Sequence, residues 1–591
     1  MSLKLKPAGK VFIITAVVAA GIIGVRWYQN QPKDVNGSIT VGKVALPDAP
    51  DASLQGSAVK LPLPGEAPAV NGGTKITWER MAWNSQFAGM YANGGIQTTK
   101  GSLFDKAHLD VTYIRQDDCN KQMADLVKFA SDYKSNPNTP GVLITFMGDG
   151  MPAFMTSLAK ELEPLGPEYQ PIIIPVTHGK SYGEDQVMGP LSWKQDPKNA
   201  VGKCVAGVLR DGDINILLKW AGDNGLQVNP DETTYDGNAI NLIAANDFLD
   251  APNKYITGYT EKRKLVVNGR TTGTDTTVNV DAVATWTPGD VNVATKKGGL
   301  VTIASTKQYA SQMSNQTIAI KRWANDHRTD IENMIIALAN AGDQVRSFND
   351  AKQFAAQVSA QLYQEQDAAY WLKYFNGIEE KDIQGIKVTL GGSAVFNLND
   401  MANTYGLGED RVDRYKAVYN TFGNLMVKMY PSIMPGFLPY EKAIDKSFLF
   451  SVISNHPELL LGKAIETKYA EQITSAVSSK SYAIQFETGS ATILPASYRM
   501  LDEIFESAVV AEGLKLGVYG HTDNKGSDNV NVPLSQRRAE SVKSYLLIKG
   551  LKQNQIEAKG YGAQKPVADN NTEAGRSRNR RVEIVLGEYN K

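Results

Sequence analysis

The stretch Val518-Tyr-Gly-His-Thr-Asp-Asn-Lys-Gly-Ser, followed by Leu534-Ser-Gln-Arg-Arg-Ala, constrains the fold more than any other part of this chain. It sets an acid, Asp523, on a turn and a base, Arg538, on the helix that follows. Leu534, Arg538, Val542 and Tyr545 recur at i, i+4, i+8 and i+11, which places Arg538 in the row that should be apolar. Arg537 falls with Ser541 and Ser544 on the polar side. A guanidinium near a buried face needs a partner, because an isolated buried charge is costly. Two arrangements meet that need. One is an internal brace between Arg538 and Asp523; the other is a zwitterionic ligand whose carboxylate and ammonium lie between them.

The motifs around this pair extend the argument. They are Phe486-Glu-Thr-Gly-Ser-Ala, Asn531, Gly560-Tyr-Gly, Pro566-Val-Ala-Asp-Asn-Asn-Thr and Gly575-Arg-Ser-Arg-Asn-Arg-Arg-Val-Glu-Ile. With them, the segment from Ser481 to Leu586 resembles the OmpA-like peptidoglycan-binding domain. The resemblance implies an α/β domain that grips the diaminopimelate of a peptide stem through Asp523 and Arg538. It places Thr522 in the same turn and gives Asn531 and Arg581 positions that line or brace the pocket. It also leaves room for a homodimer through this domain.

The 591 residues should hold two to four domains. The formal net charge of zero gives no general attraction to nucleic acid, and none is expected as a partner. The two cysteines, Cys119 and Cys204, lack metal-ligand spacing. Outside the cytoplasm they can form one bridge, or remain two separate buried thiols.

The amino terminus bears on the compartment. Val11–Val25 is an uncharged run between Lys10 and Arg26, with Trp27 and Tyr28 just beyond. It is short for a spanning helix, but snorkelling basic residues and interfacial aromatics can make up the difference. A cleaved signal peptide with Val18-Ala-Ala as its site is the competing reading, and cutting there would strand the apolar Gly21–Val25. We therefore expect a cytoplasmic stub at 1–10, one transmembrane helix at 11–28, and the bulk in the periplasm of a bacterium with an outer membrane. Residues 29–73 hold Pro32, Pro47, Pro50, Pro62, Pro64 and Pro68 and read as an extended linker. At about 3.1 Å per residue it would reach on the order of 140 Å.

Residues 74–454 alternate strand and helix signals, which argues for an α/β fold with mostly parallel sheet and ligands beyond the strand carboxyl ends. Strands are expected at Val142–Phe146, Ile172–Val176, Cys204–Leu209 and Thr277–Asp281, and helices at Ile214–Ala221, Ile331–Ala341 and Ala351–Tyr363. Gly202-Lys-Cys-Val-Ala-Gly-Val-Leu with Asp211-Gly-Asp, and Val280-Asp-Ala-Val-Ala-Thr-Trp-Thr-Pro, resemble type 2 periplasmic binding proteins of the nitrate, taurine and thiamine-precursor branch. That resemblance implies a two-lobed domain over 74–454, a connector at 455–480 and the peptidoglycan-binding domain at 481–591. Residues 370–450 exceed what such a domain requires.

A cleft would draw on Asp149, Gly150, Asp211, Gly212, Asp213 and Asp236, with Trp286 as an aromatic wall. Helix amino termini attract anions, but aspartates at these turns offset that field, so a neutral or cationic solute is expected. The same residues also read as ordinary helix caps and turn formers. The five histidines are scattered, and no nucleophile elbow, phosphate loop or dinucleotide fingerprint is present. We expect a protein without enzymatic activity, cofactor or metal. The first reading is a peptidoglycan-bound, inner-membrane-anchored binder of a small solute, with a transporter as its membrane partner. The alternative is a passive tether or force-transducing subunit laid out like flagellar MotB, with a motor ring as partner. The Val11–Val25 run has no acid to carry protons.

Overall fold

The strand Gly141–Met147 shows how the local sequence sets the architecture. Its residues Gly-Val-Leu-Ile-Thr-Phe-Met form a nearly unbroken apolar run, which suits a strand covered on both faces. The computed structural model describes residues 58–209, 212–469 and 471–588, all within one compact unit. The expected membrane helix and Asp211 lie outside the described residues. Among the described residues no helix is long and apolar enough to cross a membrane.

The central block is built on two five-stranded sheets. Their strands are β1 (Thr74–Arg80), β2 (Leu109–Arg115), β3 (Gly141–Met147), β4 (Pro171–Ile174), β5 (Gln186–Gly189), β6 (Cys204–Gly207), β7 (Asn241–Ala244), β8 (Ala282–Thr285), β9 (Val301–Ser305) and β10 (Asn315–Ile320). The first sheet runs β2-β1-β3-β10-β4 and the second β7-β6-β8-β5-β9. In each, three parallel strands are followed by one reversed strand, β10 or β5, and then the edge strand. The chain crosses between sheets twice, through 175–185 and 306–314, and each crossing enters the new sheet by its reversed strand. The mostly parallel sheet expected from the strand–helix alternation is present.

Several boundaries differ from those expected. Residues 58–73 pack on the block: Lys60 pairs with Asp350 at 2.6 Å, and Leu61 N donates to Gln344 at 2.9 Å. Gly65 and Ala69 donate to Lys100 O and Thr98 O, each at 2.9 Å. Residues 370–450 also have a structural task. The strand Ser393–Val395 pairs with Gly179–Ser181 in the first crossing. The helix Arg414–Met429 places Tyr415 so that its hydroxyl donates to Gly148 O at 3.3 Å. Cys119 and Cys204 are not joined in a disulfide. Burial, with Asp281 nearby, pushes the Cys204 thiol up to about 12.

The carboxy-terminal domain has a sheet of β11 (Ser475–Tyr482), β12 (Lys515–Gly520), β13 (Ile556–Gly560) and β14 (Val582–Glu588), in the order β11-β14-β12-β13. It begins before 481 because β11 is needed to pair with β14. The helix Asp528–Ile548 buries Asn531, Ser535, Ala539, Val542 and Leu546. The buried row is thus turned by one residue from the expected Leu534–Arg538 row. The cause is close packing: a Cβ on Gly520 would stand 2.2 Å from Ser535 O, and one on Gly560 2.2 Å from Gln536 N. Only small residues on the helix and glycine on the strands permit this approach. Gly520→Ala should therefore cost about 1–3 kcal/mol of stability, measured by denaturant unfolding, through overpacking alone.

Candidate functional sites: a cationic pocket and a cleft between two sheets

The turn after β12 is held from several sides. His521 N donates to Arg581 O at 3.0 Å and Thr522 N to Gly562 O at 2.9 Å. The His521 ring stacks on Tyr561 at 5.5 Å, and its Nε2 lies 3.1 Å from Glu583. That hydrogen bond is the main reason the Glu583 carboxyl is held down to about 2. The Asn531 amide donates to Asp523 O at 3.3 Å and Lys525 O at 3.1 Å, so this residue braces the turn from the helix. The Thr522 hydroxyl is buried and makes no hydrogen bond among the described residues.

A pocket of about 370 Å³ opens beside this turn, with Phe486, His521, Arg538, Arg580 and Arg581 among its walls. Arg538 is half-buried at the edge of its helix. Its Nε donates to Ser490 O at 3.0 Å, and its guanidinium lies 4.9 Å from the Phe486 ring. Among the described residues no carboxylate pairs with it. Burial lowers its pKa from the ordinary value, and Arg580 adds to this against the pull of Asp523.

The internal brace between Arg538 and Asp523 is not formed. Asp523 pairs instead with Arg580, whose Nη1 lies 2.6 Å from Oδ2, while its other carboxylate oxygen accepts from Lys525 N at 2.9 Å. Arg580 also reaches Glu573 at 2.8 Å. Arg581 is buried, donates to Lys565 O at 3.2 Å and lies 3.5 Å from Glu583. Sequence reasoning passed over Arg580. The arrangement is a pocket edged by three guanidinium groups, one of them without an anionic partner, suited to a carboxylate.

Residues 485–580 match the OmpA family. The carboxy-terminal segment is an OmpA-like domain. Over 103 residues, 17% of this chain, it is 38% identical to the peptidoglycan-binding protein ArfA of Mycobacterium tuberculosis, covering 32% of that protein. It is 45% identical over 92 residues, 16% of this chain, to the outer-membrane lipoprotein YfiB of Pseudomonas aeruginosa, covering 55% of it. A MotB-like protein from Desulfovibrio vulgaris has a solved structure that is 26% identical, covers 19% of this chain and 74% of that one, and superposes with a TM-score of 0.18. The chain thus spans between 32% and 55% of the length of these two sequence relatives. The OmpA-like domain accounts for the pocket and leaves the central block outside the match.

In the block, a second cavity of about 1060 Å³ lies at the carboxyl ends of strands from both sheets. Met81 follows β1, Phe146 sits at the end of β3, Val208 follows β6, Phe248 follows β7 and Trp286 follows β8, and all of them line it. Trp286 stacks on Phe248 at 4.2 Å, and its Nε1 donates at 3.3 Å to Ala82 O, just beyond β1 of the first sheet. Of the expected solute residues, Gly150 and Trp286 line this cavity. Asp149 is buried behind it and accepts from Gln312 at 2.7 Å. Gly212 packs against Asp149, where a Cβ would stand 3.2 Å from its Oδ1, so two of the three expected turns do meet. Asp213 is buried in the first turn of the helix Gly212–Asp223. Asp236 is not among the lining residues; it closes a local turn by accepting from Asn238 N at 2.9 Å.

The cavity is more apolar than those turns suggested. Phe146, Phe154 and Phe248 join Trp286, and Met426 and Met434 close it from the region beyond 370. The carboxylates at its rim have partners of their own: Asp117 meets Arg115 at 2.6 Å, and Asp118 caps the helix Cys119–Ser135. Among the described residues no group of three or more His, Cys, Asp or Glu is placed to hold a metal ion.

Proposed function

We propose that the chain is a cell-envelope protein that binds peptidoglycan through its OmpA-like domain and takes a small solute into the cleft between the two sheets. The observation that carries the first half is Arg538, which stands at the pocket with no described carboxylate beside it. A stem carboxylate would receive the planar guanidinium as a charge-assisted, bidentate contact. The ammonium of the same diaminopimelate would go to Asp523, sharing that carboxylate with Arg580. Relatives of the domain point the same way, among them the peptidoglycan-associated lipoprotein of Pseudomonas putida, 36% identical over 99 residues. Cosedimentation of the full-length protein with insoluble peptidoglycan tests this reading. The protein should appear in the pellet, and a protein that stays in solution defeats it.

The cleft reading rests on the convergence of strand carboxyl ends from both sheets on one aromatic cavity, where ligands of α/β folds lie. Trp286 and Phe248 would supply a stacking wall, and the few polar groups would favour a neutral or cationic molecule with an apolar face. Neither site is proposed to perform chemistry; both bind. The Val11–Val25 run is the proposed membrane anchor.

A screen of amino acids, polyamines, sulfonates and thiamine-like amines should find one class that raises the melting temperature. A ligand at a hundred times its Kd stabilises the folded state by about 2.7 kcal/mol. Trp286→Ala should abolish that shift. Absence of a shift across all four classes would leave the block a scaffold.

A further inference from the structure

The strands of the two sheets are joined directly through residues 175–185 and 306–314, so a change in the angle between the sheets must move both connections. The second connection is gripped by the OmpA-like domain. Ser311 N donates to Val510 O at 3.3 Å, and Gly513 N donates to Gln308 O at 3.0 Å. Between these two backbone contacts, Glu512 accepts from Ser311 Oγ at 2.8 Å. It also accepts from Arg414 Nε and Nη2 at 3.0–3.1 Å. At Gly513 there is no slack, since a Cβ would stand 1.9 Å from Lys307 O.

The grip extends to both sides of the joint. Arg414 opens the helix Arg414–Met429, which is tied to the loop after β3 of the first sheet through Tyr415 and Gly148. On the side of the second sheet, Lys219 of the helix Gly212–Asp223 donates to Ser507 Oγ at 2.8 Å. Asn224, just beyond that helix, donates to Val477 O at 3.3 Å. One face of the OmpA-like domain is therefore fastened to the first-sheet side, to the second-sheet side and to the connection between them. β12 begins directly after the gripping loop and ends at Gly520 in the wall of the cationic pocket. Pocket and grip sit at opposite ends of one strand, roughly 20 Å apart at the rise of an extended chain.

We infer that the docked OmpA-like domain is a clamp on the joint between the two sheets: they can swing apart only when the Glu512 loop releases residues 306–314. This goes beyond the proposed binding functions and depends on no ligand at either site. Hydrogen exchange read by mass spectrometry on the full-length protein tests it, with Glu512→Gln and Gly513→Ala compared with the wild type. Peptides covering 306–314 should exchange about tenfold faster in both variants, because local opening governs amide exchange. Those from β11–β14 should keep wild-type protection. Wild-type exchange at 306–314 in both variants would overturn the clamp. If either substitution also strips protection from β12, Ser311→Ala decides, since it removes one hydroxyl from the central block and leaves the OmpA-like domain untouched. Faster exchange at 306–314 in that variant supports the clamp, and an unchanged rate refutes it.

Discussion

Full-length protein carrying Arg538→Ala should stay in the supernatant when mixed with insoluble peptidoglycan that pellets the wild type. Removing one partner of a desolvated, hydrogen-bonded charge pair costs about 2–5 kcal/mol, or roughly thirtyfold and upward in Kd. The substitution should leave the domain folded, because Arg538 lies beside the buried row of Ser535, Ala539, Val542 and Leu546 and not in it. Arg538→Lys should bind nearly as poorly, since a point-like ammonium cannot reproduce the planar fork. The adjacent Arg537 is exposed, and Arg537→Ala should sediment like the wild type. Asp523→Ala should also weaken binding, and it additionally releases Arg580 from its 2.6 Å ion pair. A folded Arg538→Ala protein that pellets as well as the wild type would remove this arginine from the site.

Acid should loosen the attachment of the OmpA-like domain to the block. Burial alone would raise the Glu512 carboxyl, but Arg414, together with Lys180 and Ser311, outweighs it and holds the group at about 2, below its usual 4.5. A carboxyl depressed in the folded state adds stability that is fully present above the ordinary value and is lost as pH falls towards the depressed one. The contribution is on the order of 3 kcal/mol, and it should drain away between about pH 4.5 and pH 2. Melting temperature followed from pH 6 to pH 2.5 should fall more steeply for the wild type than for Glu512→Gln, which starts lower because Arg414 has lost a charged partner. Glu583, also held at about 2, titrates over the same range in both proteins, so the comparison isolates Glu512. Parallel curves would mean that the Glu512–Arg414 contact contributes no net stability.

The two sites were legible to different depths. In the OmpA-like domain the turn, the helix and the two charges Asp523 and Arg538 all stood in the sequence, because each depends on local chemistry. What the sequence did not show was who pairs with whom. Arg580 reaches Asp523 only because the segment Glu573–Asn579 folds back over the turn, and nothing in the spacing of Arg580 distinguishes it from Arg581. The helix register slipped by one residue for a similar reason. Hydropathy favoured Leu534, whereas contact with Gly520 and Gly560 selects small side chains.

In the central block, alternation of strand and helix signals anticipated sheets with strand carboxyl ends at the cleft, and Gly150 and Trp286 fell on its wall. Phe248 follows β7 at a position the turn signals did not mark, and Met426 and Met434 come from a region with no assigned role. Nothing in the local sequence marks Glu512. Its burial is a property of the interface between the block and the OmpA-like domain, and interfaces between segments far apart in sequence leave no local periodicity to read.

The order of strands in the OmpA-like domain carries a timetable. β14, the last described strand, lies between β11 and β12, so the sheet has a gap at its centre until residues 582–588 have been made. Until then β11 has no neighbour, β12 lacks one of its two, and the turn bearing His521 and Asp523 lacks Glu583. During synthesis the residues of the central block are all available early, whereas the cationic pocket cannot be complete ahead of the final strand. A nascent or clipped chain ending before 582 would therefore carry every residue of the cleft beside an OmpA-like sheet that lacks its central strand.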